Sequence, residues 1–268
     1  MKAPSFAYAR AKSLADAFDL IERHGAKILA GGQSLIPSLN MRLSSPELLV
    51  DITPLRDLAG IELRPTGLRI GALVTHAELE KSDKVAKHVP LLAQAVRHIA
   101  HPAIRNRGTL GGSLALADPA AEYPACTLAL NATIVLAGRR GERRVSASNF
   151  FKGLFETDIR PGELVVAAEF PRVERSVFLE LTRRHGDYAI VGLAGVSDAS
   201  GKRIAFLGAG ATPVFAEKAS RAVSLNAALE VLGKDLNPPG DLYHSPATKL
   251  HLARVLLSRA WNTLSKPH

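Results

Sequence analysis

Two stretches decide how this sequence is read: Ile28-Leu29-Ala30-Gly31-Gly32-Gln33-Ser34-Leu35-Ile36-Pro37 and Arg105-Asn106-Arg107-Gly108-Thr109-Leu110-Gly111-Gly112-Ser113-Leu114-Ala115. Each glycine pair falls where an apolar run gives way to a loop or a helix. Glycine permits positive φ and lets an anion approach the backbone closely, so such a loop can aim several N–H groups at one point. Gln33, Ser34 and Ser113 add side-chain donors, and a following helix adds the favourable end of its dipole. Two loops of this kind suggest a diphosphate gripped from both sides, although ordinary tight turns use the same residues. Other nucleotide signatures are missing. No G-x-G-x-x-G follows a strand, Gly208-Ala209-Gly210 lacks the third glycine, and there is no lysine-bearing phosphate loop.

Outward from these loops the chain alternates helix and strand. Ser13, with Asp16 three residues on, is placed to cap a helix striped by Leu14, Phe18 and Ile21, and Gly25 is placed to close it. Strands are expected over 28–30, 48–52, 68–73, 132–137 and 164–170, and helices over 35–43, from Thr75 to Lys81, over 91–100 and up to about 130. A polar loop is expected over 101–108. After Pro171 the style changes to three strands, 177–182, 188–197 and 203–208, the last two joined at Asp198-Ala199-Ser200-Gly201. Helices over 225–232 and 249–264 follow, so a boundary is expected near 171–176.

The 268 residues carry 34 Lys+Arg against 25 Asp+Glu, a net charge of +9, with 47% hydrophobic residues, which are globular proportions with ample core. The single cysteine, Cys126, excludes an internal disulfide, a four-cysteine iron–sulfur site and a structural zinc finger. Any redox group here is therefore not held on protein sulfur. Charged residues from Lys2 to Asp19 interrupt a secretion signal, and the longest apolar stretch, 189–196, is too short for a bilayer, so a cytoplasmic protein without a transmembrane segment is expected. The +9 charge raises nucleic acid as a partner, but no aromatic-interleaved basic stretch accompanies it.

Several side chains have plain structural readings. His98 and His101 lack a further clustered ligand and read as a polar helix end rather than a metal site. Arg139, Arg140, Arg143 and Arg144 read as a solvated hairpin tip, and Arg105 and Arg107 as loop cations facing solvent, a phosphate or a partner. Cys126 and Trp261 read as packing residues.

The first glycine stretch resembles the first FAD-pyrophosphate motif of the flavoprotein (medium) subunits of molybdenum hydroxylases, the carbon monoxide dehydrogenase and xanthine dehydrogenase families. The second, continuing Ala117-Asp118-Pro119-Ala120-Ala121-Glu122, is similar to the second motif, and His185-Gly186-Asp187-Tyr188-Ala189 to a third landmark beside the flavin ring. The order and spacing of all three agree over essentially the whole chain.

The resemblance implies an α+β fold. Residues 1–173 would form an FAD-binding region of the p-cresol methylhydroxylase/vanillyl-alcohol oxidase type in two lobes, about 1–57 and 58–173, and 174–268 a C-terminal domain with a three-stranded antiparallel sheet and helices. It implies that Ala30, Gly31, Gly32, Gln33 and Ser34, flanked by Leu29 and Leu35, bind pyrophosphate together with Thr109, Leu110, Gly111, Gly112 and Ser113. Glu122 would lie near the ribose, Asp187, Tyr188 and Leu164 near the isoalloxazine, and Ile99 near the adenine. Leu116 stands where many relatives carry a histidine. Glu180 stands where many carry a lysine, and a carboxylate there would oppose the anionic reduced flavin.

In that family the substrate is hydroxylated at a molybdenum cofactor on a large subunit, and a small subunit bears two [2Fe–2S] clusters. Electrons reach FAD and then NAD, oxygen or a quinone, in a complex expected to be a dimer of heterotrimers. No catalytic acid, base, nucleophile or metal ligand is assigned to this chain. A stand-alone FAD-dependent oxidoreductase of the same fold is the alternative, followed by a basic nucleic-acid-binding protein.

Overall fold

The computed structural model describes residues 2–265. Strands Ala7–Arg10 and Ala26–Leu29 both pair in parallel with Leu48–Asp51, which lies between them. That middle strand is buried along its whole length, as a covered parallel strand requires. Helix Leu14–Ile21 crosses between the outer strands, its N-terminus capped by the Ser13 hydroxyl accepting from the Asp16 N–H.

A five-stranded sheet follows, in the order Ile61–Arg64, Gly67–Gly71, Leu164–Pro171, Thr133–Gly138, Gly141–Ser146, with every pairing antiparallel. Its strand Thr133–Gly138 shows the period of two that sets both cores. Ile134 and Leu136 pack with Leu92, Leu114, Tyr123 and Cys126 of the covering helices, whereas Val135 and Ala137 pack with Val50 and Phe18 of the first sheet's layer. Helices Pro90–Ala95, Leu110–Leu116 and Glu122–Ala129 are thereby held against one face.

The third sheet runs Arg175–Leu181, Val191–Asp198, Gly201–Leu207 and Val214–Phe215, each antiparallel to the next. It has four strands rather than three, because Val214–Phe215 adds an edge strand too short to leave a pattern. Val191, Leu193 and Phe206 meet helix Pro246–Leu264 through Leu257 and Trp261, while Ala194, Val196 and Leu207 join the core under helix Glu122–Ala129.

Other differences from the expectations have local causes. The Asp16 carboxylate accepts from the Lys12 N–H rather than from Ser13, so the cap at Ser13 is one-sided. Gly25 is left-handed (φ +65) as expected, but in the turn into the next strand, since the helix ends at Ile21. The helix from Pro90 stops at Ala95, and Ala100 is itself left-handed (φ 42). The polar loop after it contains the short helix Pro102–Arg105. The overlooked strands Ala7–Arg10, Ile61–Arg64 and Gly141–Ser146 are edges with mostly exposed residues.

The arginines near the hairpin tip are not all solvated. Arg139 pairs with Asp19 (2.6 Å) and Glu22 (3.0 Å), Arg144 with Glu169 (3.3 Å), and Arg143 is held by two carboxylates. Cys126 is buried and free, and burial pushes its thiol well above the usual range. Among the described residues no helix is long and apolar enough to cross a membrane.

Candidate functional site

The turn after strand Ala26–Leu29 and the start of helix Leu110–Leu116 meet at a cavity of about 560 Å³, a volume usual for a cofactor cleft. They meet as bare backbone. A Cβ on Gly31 would lie 2.1 Å from the Arg107 carbonyl oxygen and 2.8 Å from the Gly108 Cα, so glycine is what allows the two loops to touch. Gly111 is equally confined, its absent Cβ falling 2.4 Å from that of Ala72.

The loops nevertheless offer different things to a ligand. The N–H groups of Gly31, Gly32, Gln33, Ser34 and Leu35 make no backbone hydrogen bond. The turn is held instead by the Gln33 side-chain amide donating to the Gly31 carbonyl (3.1 Å) and by the Ile36 N–H donating to the Gly32 carbonyl (3.0 Å). On the opposite side, the N–H groups of Leu110 and Gly111 donate to the Val74 and Ala72 carbonyls (3.0 and 2.8 Å). Those of Gly112 and Ser113 donate to the Thr109 hydroxyl and carbonyl (both 3.1 Å). The second loop is left with the Thr109 N–H and the hydroxyls of Thr109 and Ser113 as donors. A cluster of free N–H groups is a strong anion receptor, so the anionic end of a ligand belongs at the first loop.

Of the residues implied by the resemblance, Ala30, Gly31, Gly32, Gln33, Ser34, Leu35, Ile99, Thr109, Gly111, Gly112, Ser113, Glu122, Leu164, Asp187 and Tyr188 all line this one cavity. Leu29 and Leu110 do not. Leu29 is skipped between Ile28 and Ala30, which line the wall on either side of it, and Leu110 is fully buried in the core beneath the loop. Leu116 does line the wall, so an apolar group stands there. Lys27, Ser38, Ser44, His76, Ile159 and Glu163 also line it and were not anticipated. Lys27 and Ser38 flank the first loop on the strand before it and the helix after it, while His76, Ile159 and Glu163 come from segments distant in the chain.

Two arginines brace the wall from behind. Arg105, whose side chain is only 11% exposed, donates to Glu80 (3.0 Å) and to the carbonyls of Ile99 and Ala100 (3.1 and 3.2 Å). It therefore fixes the turn that presents Ile99, rather than facing solvent or phosphate. Arg143 holds Glu163 through both carboxylate oxygens (2.7 Å each) and Asp158 at 2.6 Å, clamping the segment that carries Ile159. Arg143→Leu leaves both acids without that cation. The expected cost is about 1–2 kcal/mol for a partly exposed network, together with faster proteolysis at 158–163, read by thermal melting and limited digestion.

The electrostatics of the wall are set by burial. Burial pushes the Glu122 carboxyl up to about 7, and the neighbouring Asp118 adds to the rise. Asp118 is itself raised by burial, against the Ala120 N–H donated to it. Burial and then Arg105 push His76 down to about 4, so the ring is neutral; it stands edge-on to Tyr123 at 5.3 Å, with its Nδ1 unpartnered.

Glu180 differs most from expectation. Its side chain has no exposed surface, neither oxygen has a hydrogen-bond partner, and it stands behind Glu122 rather than on the wall. Burial, with the nearby Glu122 charge, pushes its carboxyl up to about 8. At neutral pH Glu180 is uncharged and opposes no anion. Among the described residues no cluster of three His, Cys, Asp or Glu side chains is arranged to hold a metal.

The profile described as the FAD binding domain in molybdopterin dehydrogenase matches residues 4–173, and that of the CO dehydrogenase flavoprotein C-terminal domain matches residues 176–264. The chain is 40% identical to the 6-hydroxypseudooxynicotine dehydrogenase complex subunit alpha of Paenarthrobacter nicotinovorans, over 99% of this chain and 95% of that one. It is 36% identical to the carbon monoxide dehydrogenase medium chain of Afipia carboxidovorans, over 96% and 95% respectively. Among solved structures, quinoline 2-oxidoreductase from Pseudomonas putida 86 superposes with a TM-score of 0.93 at 36% identity, covering 98% of both chains. The matched profiles together span almost the whole chain, and with relatives aligned over nearly their full lengths the chain belongs to the FAD-binding medium subunits of the molybdenum hydroxylase family.

Proposed function

We propose that this subunit holds FAD extended through the cavity and relays electrons between an iron–sulfur partner and an external acceptor. The observation that carries this reading is the run of five N–H groups from Gly31 to Leu35 that make no backbone hydrogen bond, in residues that all line the cavity. Ala30–Ser34 receive the pyrophosphate, and Thr109 and Ser113 donate hydroxyls to it from across the cleft. Ile99 packs by the adenine, Glu122 accepts from ribose or ribityl hydroxyls, and Leu164, Asp187 and Tyr188 border the flavin ring.

When bound, FAD supplies the two-electron chemistry, receiving electrons from [2Fe–2S] clusters on a small subunit and delivering them to NAD, oxygen or a quinone. The protein's own work is to bind, orient and shield. Tyr188, 75% exposed at the mouth, limits access to the ring edge. A large subunit with the molybdenum cofactor binds the hydroxylated substrate, so substrate choice lies outside this chain. Cys126 is buried and alone, which fits clusters carried by a partner and a reducing cytoplasm. The division into lobes 1–57 and 58–173 and a domain 174–268 is supported by the sheets, each of which falls within one of these spans.

The test is purification with its neighbours. A yellow complex containing molybdenum, iron and FAD supports the reading. A chain that rejects added FAD overturns it, and a yellow chain that turns over substrate alone supports the stand-alone alternative. Glu122 gives a finer expectation. As a carboxylate it accepts from sugar hydroxyls better than as an acid, so FAD affinity should rise between pH 6 and 8 as the group titrates near its value of about 7. Glu122→Gln should flatten that rise and weaken binding about tenfold at pH 8, as the loss of a charged hydrogen bond does, measured by quenching of flavin fluorescence.

A further inference from the structure

Two carboxyls without a lysine or arginine partner, each within electrostatic reach of the other, stand at the flavin pocket. Glu122 lines it, and Glu180 lies behind, fully buried, with both oxygens lacking a partner. Buried polar atoms in folded proteins are nearly always paired, so an orphaned carboxyl at a cofactor site calls for an explanation. The titratable groups near it come from two segments. Helix Glu122–Ala129 brings Glu122 and the neutral thiol of Cys126, and the turn after helix Pro90–Ala95 brings His98. Strand Val191–Asp198 places Gly192 opposite and adds no charge.

The His98 Nδ1 lies 3.8 Å from the Glu180 Oε2, a small movement short of a direct hydrogen bond, and the imidazole is 37% exposed, so it reaches solvent. Burial and then His185 hold His98 below its ordinary value, leaving it free to pass a proton rather than store one. The neighbours of this group, Ile99, Glu122 and Gly186, all face the pocket.

We propose that Glu122 and Glu180 form an acid pair that takes up one proton from solvent, through His98, whenever negative charge enters the neighbouring flavin pocket. This rests on the FAD reading above. When a reductant, the iron–sulfur partner or dithionite in the test, gives up two electrons to the bound flavin, the added negative charge favours the neutral form of each nearby carboxyl. One carboxylate then gains a proton drawn from water, so the site's net charge changes by less than the electrons alone require. A lysine in this place would supply a fixed positive charge; the acid pair supplies a movable one.

The test is potentiometric titration of the full FAD-loaded chain with dithionite from pH 6 to 10, paired with infrared difference spectra of the carboxyl region. In the pH range above the acids' titration, the potential should fall with pH more steeply than the flavin's own protons require, by one further proton per two electrons, about 30 mV per pH unit. Glu180→Gln should lose the extra steepness while still binding FAD, and Glu180→Asp should keep part of it. On reduction at pH 9 the wild type should gain a protonated-carboxyl band that Glu180→Gln lacks. Equal slopes in wild type and Glu180→Gln overturn the inference, as does a wild type with no band gained on reduction, a result that holds even if the variants fail to fold. A chain that stays colourless with FAD fails the cofactor reading; a coloured, reducible chain with these negative results fails only the acid pair.

Discussion

Gly31→Ala is expected to yield a folded chain that purifies without FAD. The added methyl would sit 2.1 Å from the Arg107 carbonyl oxygen, 2.8 Å from its carbon and 2.8 Å from the Gly108 Cα, and all three are backbone atoms that cannot swing aside as a side chain does. Relief requires the two loops to separate by about 1 Å, the usual response to overpacking. That displacement splits the receptor: the free N–H groups of Gly31–Leu35 lie on one side of the contact, the hydroxyls of Thr109 and Ser113 on the other. The cores lie elsewhere, on residues such as Ile134, Val135 and Leu257, so the fold should lose only about 1–3 kcal/mol. FAD affinity should fall at least about a hundredfold, some 3 kcal/mol, because a misaligned set of donors forfeits several charge-assisted bonds together. Gly60→Ala is the control: its added methyl would meet only the Glu62 carboxylate, at 3.9 Å, and binding should match wild type. Flavin-fluorescence titration of the three proteins decides the matter, and wild-type affinity in Gly31→Ala would refute the contact between loops as the basis of the site.

The same glycines explain why so much of the site could be read in advance. A close approach of two backbones has to be written with residues that lack a Cβ, so Gly31 and Gly111 announce it locally. Buried strands such as Leu48–Asp51 and Leu164–Pro171 announce themselves as well, by apolar runs between prolines. What stayed hidden depends on distant partners. Whether the Leu110 and Gly111 N–H groups are free or spent is settled by Val74 and Ala72, some forty residues earlier in the chain. Arg105 and Arg143 look like surface cations until Glu80, Asp158 and Glu163 are folded against them. Glu180 looks like a charge until the helix carrying Glu122 closes over it. Edge strands such as Gly141–Ser146, which reads Gly-Glu-Arg-Arg-Val-Ser, carry no alternation, because their register comes from the strand they join.

Stability should be limited on both sides of neutrality, by different residues. His76 titrates at about 4 in the folded chain against 6.5 when unfolded, because the buried ring is held neutral. The unfolded chain therefore binds the extra proton first, and the contribution of the neutral ring, present above pH 6.5, is lost as pH falls toward 4, by about 3 kcal/mol in all. Glu180 runs the opposite way. Its folded value of about 8 exceeds the unfolded 4.5, so the folded chain keeps its proton longer. The advantage is complete below pH 4.5 and disappears as pH rises through 8, at a cost of order 3–5 kcal/mol. Glu180→Gln replaces the neutral acid with a neutral amide of nearly the same shape. It should melt close to wild type at pH 5 and clearly above it at pH 9, with the difference growing steadily between. The acid limb, which belongs to His76, should be unchanged in this variant. Melting curves of both proteins from pH 4 to 9 read the two limbs separately. A Glu180→Gln difference that is flat across that range would mean that Glu180 is ionised in the folded protein, with its charge compensated after all.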